Sequence, residues 1–453
     1  MSDFPAGLPA GFQFGVSTAA YQIEGAADED GRGPSIWDTF SRTPGTTRGG
    51  ATGDVACDHY HRWESDLDLI QELGATAYRF SIAWSRIQPT GEGPANAAGI
   101  AFYDRLVDGM LARGIDPLVT LFHWDLPQAL QDLGGWSNRD TAMRFGEYAE
   151  LVGEALGDRV KLWVTLNEPY IHLSLGHVLG VHAPGQRLGM ELLPVIHHQL
   201  LGHGLAVSAL RRVSSAPITL ANNYSPVWPK SDAEDDRTAA MFYDLVQNRL
   251  FTDPILLGAY PPIVEALTGA DVDSIVMDGD LEVISQPIDA LGVNYYNPSL
   301  ISAPQAGEDL PFSRAESIPG YPTTDFGWPV VPSALRDLLV TLRDTYGSQL
   351  PPIWITESGC SYAPVDDQFR VDYHAGHLAA VGEAVAAGVD VRGYCAWSLL
   401  DNFEWAEGYD QRFGLVHVDF DTQERTRRSS FEWYQRLCTS AAPRPDLQGG
   451  PTG

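Results

Sequence analysis

Two glutamates follow apolar runs of strand length at distant places in the chain. Glu168 closes the run Trp-Val-Thr-Leu-Asn-Glu and precedes Pro169, whereas Glu357 closes the run Ile-Trp-Ile-Thr-Glu and precedes Ser358 and Gly359. Carboxylates seldom stand beside such residues unless they are paired or used in chemistry. Either glutamate alone would be an ordinary polar residue at a strand end, but the two together favour acid, base or nucleophilic catalysis.

Such chemistry requires the two strands to end side by side, and the pattern of the whole chain indicates how they do so. Apolar runs alternate with amphipathic helical stretches, such as 63–74, 103–114 and 145–157, each of which ends at a glycine. This alternation predicts an α/β fold, a (β/α)8 TIM barrel, whose strand ends share one face. The predicted strands are residues 12–17, 76–82, 117–123, 162–168, 218–223, 290–296, 353–357 and 391–399.

Two further segments, 224–287 and 299–332, break the repeat and are predicted to form extended loops over the face that carries the strand ends. No low-complexity linker divides the 453 residues. We therefore predict one catalytic barrel domain over residues 1–441 and a flexible tail over 442–453.

The composition excludes several classes of partner. Lys and Arg total 29 against 59 Asp and Glu, a net charge of -30, so nucleic acid and anionic membranes are not expected partners. The N-terminus lacks a secretory pattern and no apolar run is long enough to span a membrane, which predicts a cytoplasmic protein. The four scattered cysteines are expected to be free thiols. Among them, Cys360 is either a small buried apolar residue or a thiol close to the site.

Polar and aromatic residues concentrate where the predicted strands end. In a barrel of this type the functional site lies at that face. The residues concerned are Gln22, Arg79, His123, Trp124, Asn167, Glu168, Asn223, Asn294, Tyr296, Glu357, Trp397 and Glu404.

Together with segments 12–25, 78–86, 122–127, 397–405 and 423–426, these residues make the chain resemble the family 1 glycoside hydrolases of the β-glucosidase type over nearly its whole length. The resemblance implies a retaining exo-β-glycosidase. Its substrates would be small neutral β-glucosides or cello-oligosaccharides, from which it would release terminal β-D-glucosyl residues through a covalent glycosyl-enzyme, without a cofactor.

The resemblance also implies roles for individual residues. Glu168 would be the acid/base and Glu357 the nucleophile, with Arg79 and Tyr296 favouring the ionised form of Glu357 and Asn167 binding the sugar 2-hydroxyl. Apolar neighbours and a second anion predict a raised pKa for Glu168, near 6 against an ordinary value of about 4.3. The implied substrate-binding residues are Gln22, His123, Trp124, Asn167, Asn294, Trp328, Trp397, Glu404, Trp405 and Phe413.

The chain departs from the family pattern at Ser358, where asparagine is usual, and at His417 and Phe420, where tyrosines are common. None of these positions carries a catalytic group. No metal is predicted, because the spacings of the remaining histidines match no ligand pattern. These histidines are His59, His61, His197, His198 and His203.

Two alternative functions stay open at this point. A 6-phospho-β-glycosidase would need a cationic pocket, which the carboxylate of Glu404 and the near absence of lysine oppose. A non-catalytic sugar-binding barrel would have lost one of the two carboxylates, and both are present. The sequence leaves undecided the preference among glucoside, galactoside and fucoside, the balance of hydrolysis and transglycosylation, and the oligomeric state.

Overall fold

A computed structural model describes residues 5–189, 191–306, 310–315 and 317–440. Eight parallel strands close into a barrel in chain order, with β8 pairing against β1. The predicted (β/α)8 barrel is therefore confirmed. The predicted tail 442–453 lies outside the described residues. The strands are β1 (Gln13–Ser17), β2 (Ala77–Ser81), β3 (Asp116–Phe122), β4 (Leu162–Asn167), β5 (Ile218–Tyr224), β6 (Leu291–Tyr295), β7 (Ile353–Ser358) and β8 (Val391–Trp397).

The strand boundaries agree with the prediction to within two residues, and the largest deviation lies at the functional face. The predicted strand 162–168 ends at Asn167, because Glu168 adopts a left-handed backbone with φ of 45°. The predicted strand 391–399 ends at Trp397, after which the Ser398 amide donates to the carbonyl of Phe413. Both departures turn the chain into the barrel mouth.

Long helices surround the barrel and begin earlier than the apolar pattern indicated. The helix predicted over 63–74 begins at His59, because its first turn is mostly polar, and it ends at Leu73 before the left-handed Gly74 (φ 72°). Gly157, by contrast, keeps a right-handed backbone. The long helices are His59–Leu73, Ala97–Ala112, Arg139–Leu156, Leu193–Val213, Pro332–Tyr346, Gln368–Ala386 and Ser429–Ser440.

Shorter elements fill the connections. The α-helices are Ala20–Ile23, Ile36–Ser41, Trp84–Ile87, Gln128–Asp132, Pro169–Leu173, Glu234–Asp244, Thr252–Leu257, Val264–Thr268 and Asp280–Ile284. Ser174–Val178 and Leu245–Arg249 are π-helical. The 3-10 turns are Arg48–Gly50, Gly135–Ser137, Val272–Ser274, Gly347–Gln349 and Trp405–Glu407, and Val416–Val418 pairs with Arg425–Arg427.

The segments 224–287 and 299–332 are not the plain loops that the sequence predicted. The first contains four α-helices, and Glu234–Asp244 begins with three acidic residues that favour its N-terminus. Its strand Val227–Pro229 joins Ser299–Ser302 and Ser313–Arg314 of the second segment in a three-stranded sheet. The apolar residues of these segments are divided among short elements, so the pattern did not reveal them.

The core lies between the barrel and its helices, and a smaller cluster fills the barrel below the site. Ala77, Leu118, Leu162 and Cys395 pack there with Trp354. These residues close the barrel, which leaves only the face at the carboxyl ends of the strands for a pocket. Within the described ranges, no helix has both the length and the apolar character needed to cross a membrane.

Candidate active site

The carboxyl ends of four barrel strands bring the two predicted glutamates together. Glu168 follows β4 and Glu357 lies near the end of β7, while Arg79 comes from β2 and Asn294 from β6. All four side chains are at least 95% buried. A charged group so far from water must be paired or must change its protonation state.

Glu357 has charged and hydroxyl partners. Arg79 Nη1 donates to its Oε1 at 2.5 Å, and the Tyr296 hydroxyl donates to its Oε2 at 2.7 Å. Arg79 is itself held by Thr120 Oγ1, which accepts from Nε at 3.1 Å, and by the carbonyl of Thr356. Glu357 is therefore fixed at both oxygens and lies against a permanent positive charge.

Glu168 is surrounded by neutral amides instead. Asn294 Nδ2 donates to Oε1 at 2.7 Å and Asn223 Nδ2 donates to the same oxygen at 3.2 Å. The two glutamates have the same chemistry but unlike partners, one cationic and one neutral. Such a difference separates the protonation of a carboxylate pair.

The two carboxylates belong to one hydrogen-bonded network. Arg79 donates to Glu357 through Nη1 and to Asn167 Oδ1 through Nη2, and the same Oδ1 accepts from Asn294 Nδ2, which also donates to Glu168 Oε1. Asn294 Oδ1 accepts from Thr356 Oγ1 at 2.6 Å, in the residue that precedes Glu357. The charge of Glu357 also raises the pKa of Glu168, which fits the close carboxyl pair, about 5 to 5.5 Å apart, of a retaining glycosidase.

Burial raises the pKa of Glu168 to about 8, with the charge of Glu357 as the second cause. The predicted direction is confirmed, and the value lies above the predicted 6. Burial also raises the pKa of Glu357, although Arg79 and Tyr296 act in the opposite direction, as expected from the sequence. Among the described residues, the one guanidinium in contact with the pair is that of Arg79, which lies on Glu357, so Glu168 is the protonated member of the pair.

Asn167 has a fixed orientation that also sets the protonation of His123. Its Oδ1 accepts from Arg79 Nη2 at 2.6 Å and from Asn294 Nδ2 at 3.1 Å, so its Nδ2 donates to His123 Nε2 at 3.0 Å. Burial lowers the pKa of His123 well below its ordinary value, and this neutral ring must carry its proton on Nδ1. His123 Nδ1 is buried and has no hydrogen-bond partner among the described residues.

Among the described residues, Gln22 presents an unpaired acceptor, which complements the unpaired donor of His123. Its Nε2 donates to Asn402 Oδ1 at 3.0 Å and to the Phe403 carbonyl at 2.9 Å, and it lies 3.5 Å from Glu404 Oε2. Its Oε1 is buried and accepts no hydrogen bond from the described part of the chain. Unpaired buried donors and acceptors are costly, so a ligand rich in hydroxyl groups would satisfy both Gln22 and His123.

Glu404 adds a third carboxylate to the pocket. It is half-buried, and burial together with the charges of Glu357 and Glu168 raises its pKa to about 8. A protonated Glu404 is both donor and acceptor at neutral pH. It can therefore hold two neighbouring hydroxyl groups of a neutral ligand.

Aromatic rings form the apolar walls. Trp397 and Phe413 pack with Tyr296 and Trp328, and the His123 ring is nearly parallel to Trp397 at a centroid distance of 5.9 Å. Trp405 contacts Trp124, 4.8 Å between centroids. Flat apolar faces beside unpaired polar groups suit a pyranose ring, which has C–H groups on its faces and hydroxyls at its edge.

Two predicted ligand-binding residues use their polar groups within the protein. Trp124 Nε1 donates to the Asn167 carbonyl at 2.8 Å, and both ends of the Asn294 amide are occupied as described above. Their polar groups position Asn167 and the carboxylates. The other predicted residues lie around the same pocket.

The sequence reasoning gave no role to four residues that support the site. Asn223 contacts Glu168, Thr120 and Thr356 hold Arg79 and Asn294, and Asn402 orients Gln22. Asn223 was predicted at the functional face because it stands at a strand end, but its contact with Glu168 was not. The threonines carry no such signal, because β-branched residues fill strands throughout the chain.

The other histidines have partners of their own at separate places in the fold. His59 contacts Asp66, His197 contacts Asp280 and Tyr260, and His203 contacts Thr165. His61 lies between Asp58 and Glu29, and His198 contacts the Trp136 carbonyl.

Cys360 is fully buried, and burial raises the pKa of its thiol to about 12. The thiolate is the reactive form of cysteine, so this position fits a small apolar residue better than a reactive thiol.

Comparisons with known proteins agree over nearly the whole chain. A family model described as glycosyl hydrolase family 1 matches residues 4–442. A beta-glucosidase of Agrobacterium sp. (strain ATCC 21400) is 47% identical over 441 residues, which cover 95% of each chain. A bifunctional beta-D-glucosidase/beta-D-fucosidase of Bifidobacterium breve is 45% identical, covering 96% of this chain and 99% of its own. The solved family 1 β-glucosidase from Thermotoga maritima has a TM-score of 0.91 at 42% identity, covering 96% and 98%.

Proposed function

This chain belongs to glycosyl hydrolase family 1, and from that premise we propose that it is a retaining exo-β-glucosidase in which Glu357 is the nucleophile and Glu168 the acid/base. It hydrolyses terminal β-D-glucosyl residues of small neutral β-glucosides or cello-oligosaccharides. The observation that carries the assignment is the hydrogen-bonded network from Glu357 through Arg79, Asn167 and Asn294 to Glu168, in which one carboxylate has a guanidinium partner and the other has neutral partners.

In the first step a Glu357 oxygen attacks the anomeric carbon while Glu168 gives its proton to the glycosidic oxygen. The product is a glycosyl ester on Glu357 and a free alcohol. Arg79 and the Tyr296 hydroxyl hold Glu357 in place, and Asn167 would bind the 2-hydroxyl through the second hydrogen of Nδ2, whose first is donated to His123.

In the second step Glu357 begins as the glycosyl ester, in which it carries no charge. The electrostatic cause of the raised pKa of Glu168 then disappears, and Glu168 can take a proton from the attacking water. The water oxygen bonds to the anomeric carbon and the bond to Glu357 breaks, which returns both carboxylates to their starting states.

A panel of aryl glycosides tests this function. We expect nitrophenyl β-glucoside to be cleaved with a kcat/KM at least about 100-fold above that of its 6-phosphate, because the carboxyl groups Glu357, Glu168 and Glu404 already repel one another as anions and a phosphate dianion would add to that repulsion. The same panel, with β-galactoside and β-fucoside, measures the sugar preference. Preferential cleavage of the 6-phosphate would reject the proposal.

The pH dependence of kcat/KM is expected to be bell-shaped, since it reports the groups of the free enzyme. Glu168 must be protonated, so activity falls as the pH rises through about 8. Glu357 must be ionised, so activity falls on the acid side, at a pH above the ordinary glutamate value because burial raises its pKa. Glu404 also has a pKa of about 8, like Glu168. The basic limb is therefore assigned to Glu168 if it disappears in Glu168→Ala. A basic limb that persists in that variant would contradict the assignment.

We further propose a cytoplasmic role on short soluble products of cellulose breakdown. The support is that the four cysteines are buried free thiols, as is usual in a reducing compartment. Fractionation of the producing cell, followed by assay of each fraction with nitrophenyl β-glucoside, measures this directly.

A further inference from the structure

An exposed aromatic pair lies at the rim, apart from the pocket already described. Trp228 is half-buried and Tyr321 is 41% exposed, and their ring centroids are 6.1 Å apart with planes at 40°. The two residues come from different inserts of the barrel. Neighbouring aromatic side chains that keep an exposed part at the surface are candidates for ligand binding.

Each member of the pair lies in a segment of the chain that also contains a residue close to one of the two carboxylates. Trp228 follows Asn223 by five residues, a reach of at most about 17 Å, and Asn223 donates to Glu168. On the other side, Trp328 packs against Tyr296 with centroids 5.3 Å apart, and Tyr296 donates to Glu357.

Tyr321 belongs to the same turn as Trp328. The Val330 amide donates to the carbonyl of Pro322 at 2.8 Å, and the Thr324 amide donates to the carbonyl of Trp328 at 2.9 Å. Tyr321 directly precedes this hairpin. The pair therefore forms where the segment that follows β5 and its Asn223 meets the segment that follows β6 and contains Trp328.

Trp228 lies on the face of the small insert sheet opposite the helix Glu234–Asp244, where it is partly buried against the main core. Its neighbour Val227 packs with Ile301 against Ala240 and Tyr243 of the helix Glu234–Asp244. Because side chains alternate along a strand, Trp228 points to the opposite face, which this helix does not cover. On that face it meets Tyr321.

We propose that Trp228 and Tyr321 form a distal platform on which a glucosyl unit on the leaving-group side of a cello-oligosaccharide stacks. This inference rests on the proposed function. The rings offer an apolar surface without charge, and the net charge of -30 disfavours anionic glycans, so a neutral sugar is the occupant.

Trp228→Ala tests the platform through the ratio of kcat/KM for cellotetraose to kcat/KM for nitrophenyl β-glucoside, whose aglycone is too short to reach it. We expect this ratio to fall about tenfold, the size of one aromatic contact. The loss should appear in KM with kcat little changed, because a remote contact binds ground and transition states alike. Trp228→Phe, which keeps a ring, should restore most of the ratio.

The matched control is Trp433→Ala, since Trp433 is also half-buried but lies on the outer helix Ser429–Ser440. An unchanged ratio in Trp228→Ala, or an equal fall in the control, overturns the platform. If Trp228→Ala is not folded by circular dichroism, Tyr321→Ala is measured in its place with the same expectation. A wild-type enzyme that cleaves no β-glucoside would instead overturn the proposed function, so the two failures are distinct.

Discussion

Glu357→Gly is expected to lower kcat on cellobiose by about 10⁴- to 10⁶-fold, the range seen when a covalent nucleophile is removed. Without this carboxylate no glycosyl ester can form. Arg79 and the Tyr296 hydroxyl would remain around the space that the side chain leaves, since each has partners or packing of its own. The loss is measured as release of glucose under saturating substrate.

Azide distinguishes the loss of a nucleophile from the loss of the fold. A small anion can occupy the space beside Arg79 and attack the anomeric carbon of an activated aryl glucoside, which gives an α-glucosyl azide of inverted configuration. Nuclear magnetic resonance of the product establishes that configuration. Glu424→Gly, at an exposed loop position, is the control and should keep wild-type activity. Full activity of Glu357→Gly would show that another group attacks the sugar.

Glu168→Ala is expected to affect substrates according to their leaving groups. For cellobiose, whose leaving alcohol needs a proton, kcat/KM should fall about 10³- to 10⁴-fold, the upper part of the range for general acid catalysis. For dinitrophenyl glucoside, whose leaving group departs as an anion, we expect a loss of glycosylation rate within about tenfold. Rapid-mixing measurement of the first turnover gives that rate without interference from the second step.

The neutral partners of Glu168 provide a control for this result. Asn223→Ala removes one hydrogen bond to the carboxyl group but leaves the acid in place, so its losses should be similar for both substrates. An equal loss for both substrates in Glu168→Ala would contradict the acid role and would point to a structural effect of the substitution.

Much of the fold was predictable because its signal is local and repeated. Short apolar runs alternate with amphipathic helices along the chain. These runs identify the bounds of the barrel strands to within two residues. The inserts were predicted poorly, since their helices are short and their apolar residues pack against one another rather than in a long stripe. The short helices are stabilised by contacts between residues far apart in the chain, such as Tyr243 and Ile301, and these contacts cannot be read from the sequence.

The sequence by itself determined the barrel, the two glutamates at strand ends and the polar set around them, because residue type and spacing follow from strand and helix periodicity. The contact of Arg79 with Glu357, which the family resemblance implied, is seen in the tertiary structure. Only that structure decided which polar atoms of His123 and Gln22 have no partner among the described residues, and that Trp228 meets Tyr321. The reason is physical: these properties depend on burial and on hydrogen bonds between residues far apart in the chain. Arg79 and Glu357 are separated by 278 positions, and no local pattern encodes the contact between them.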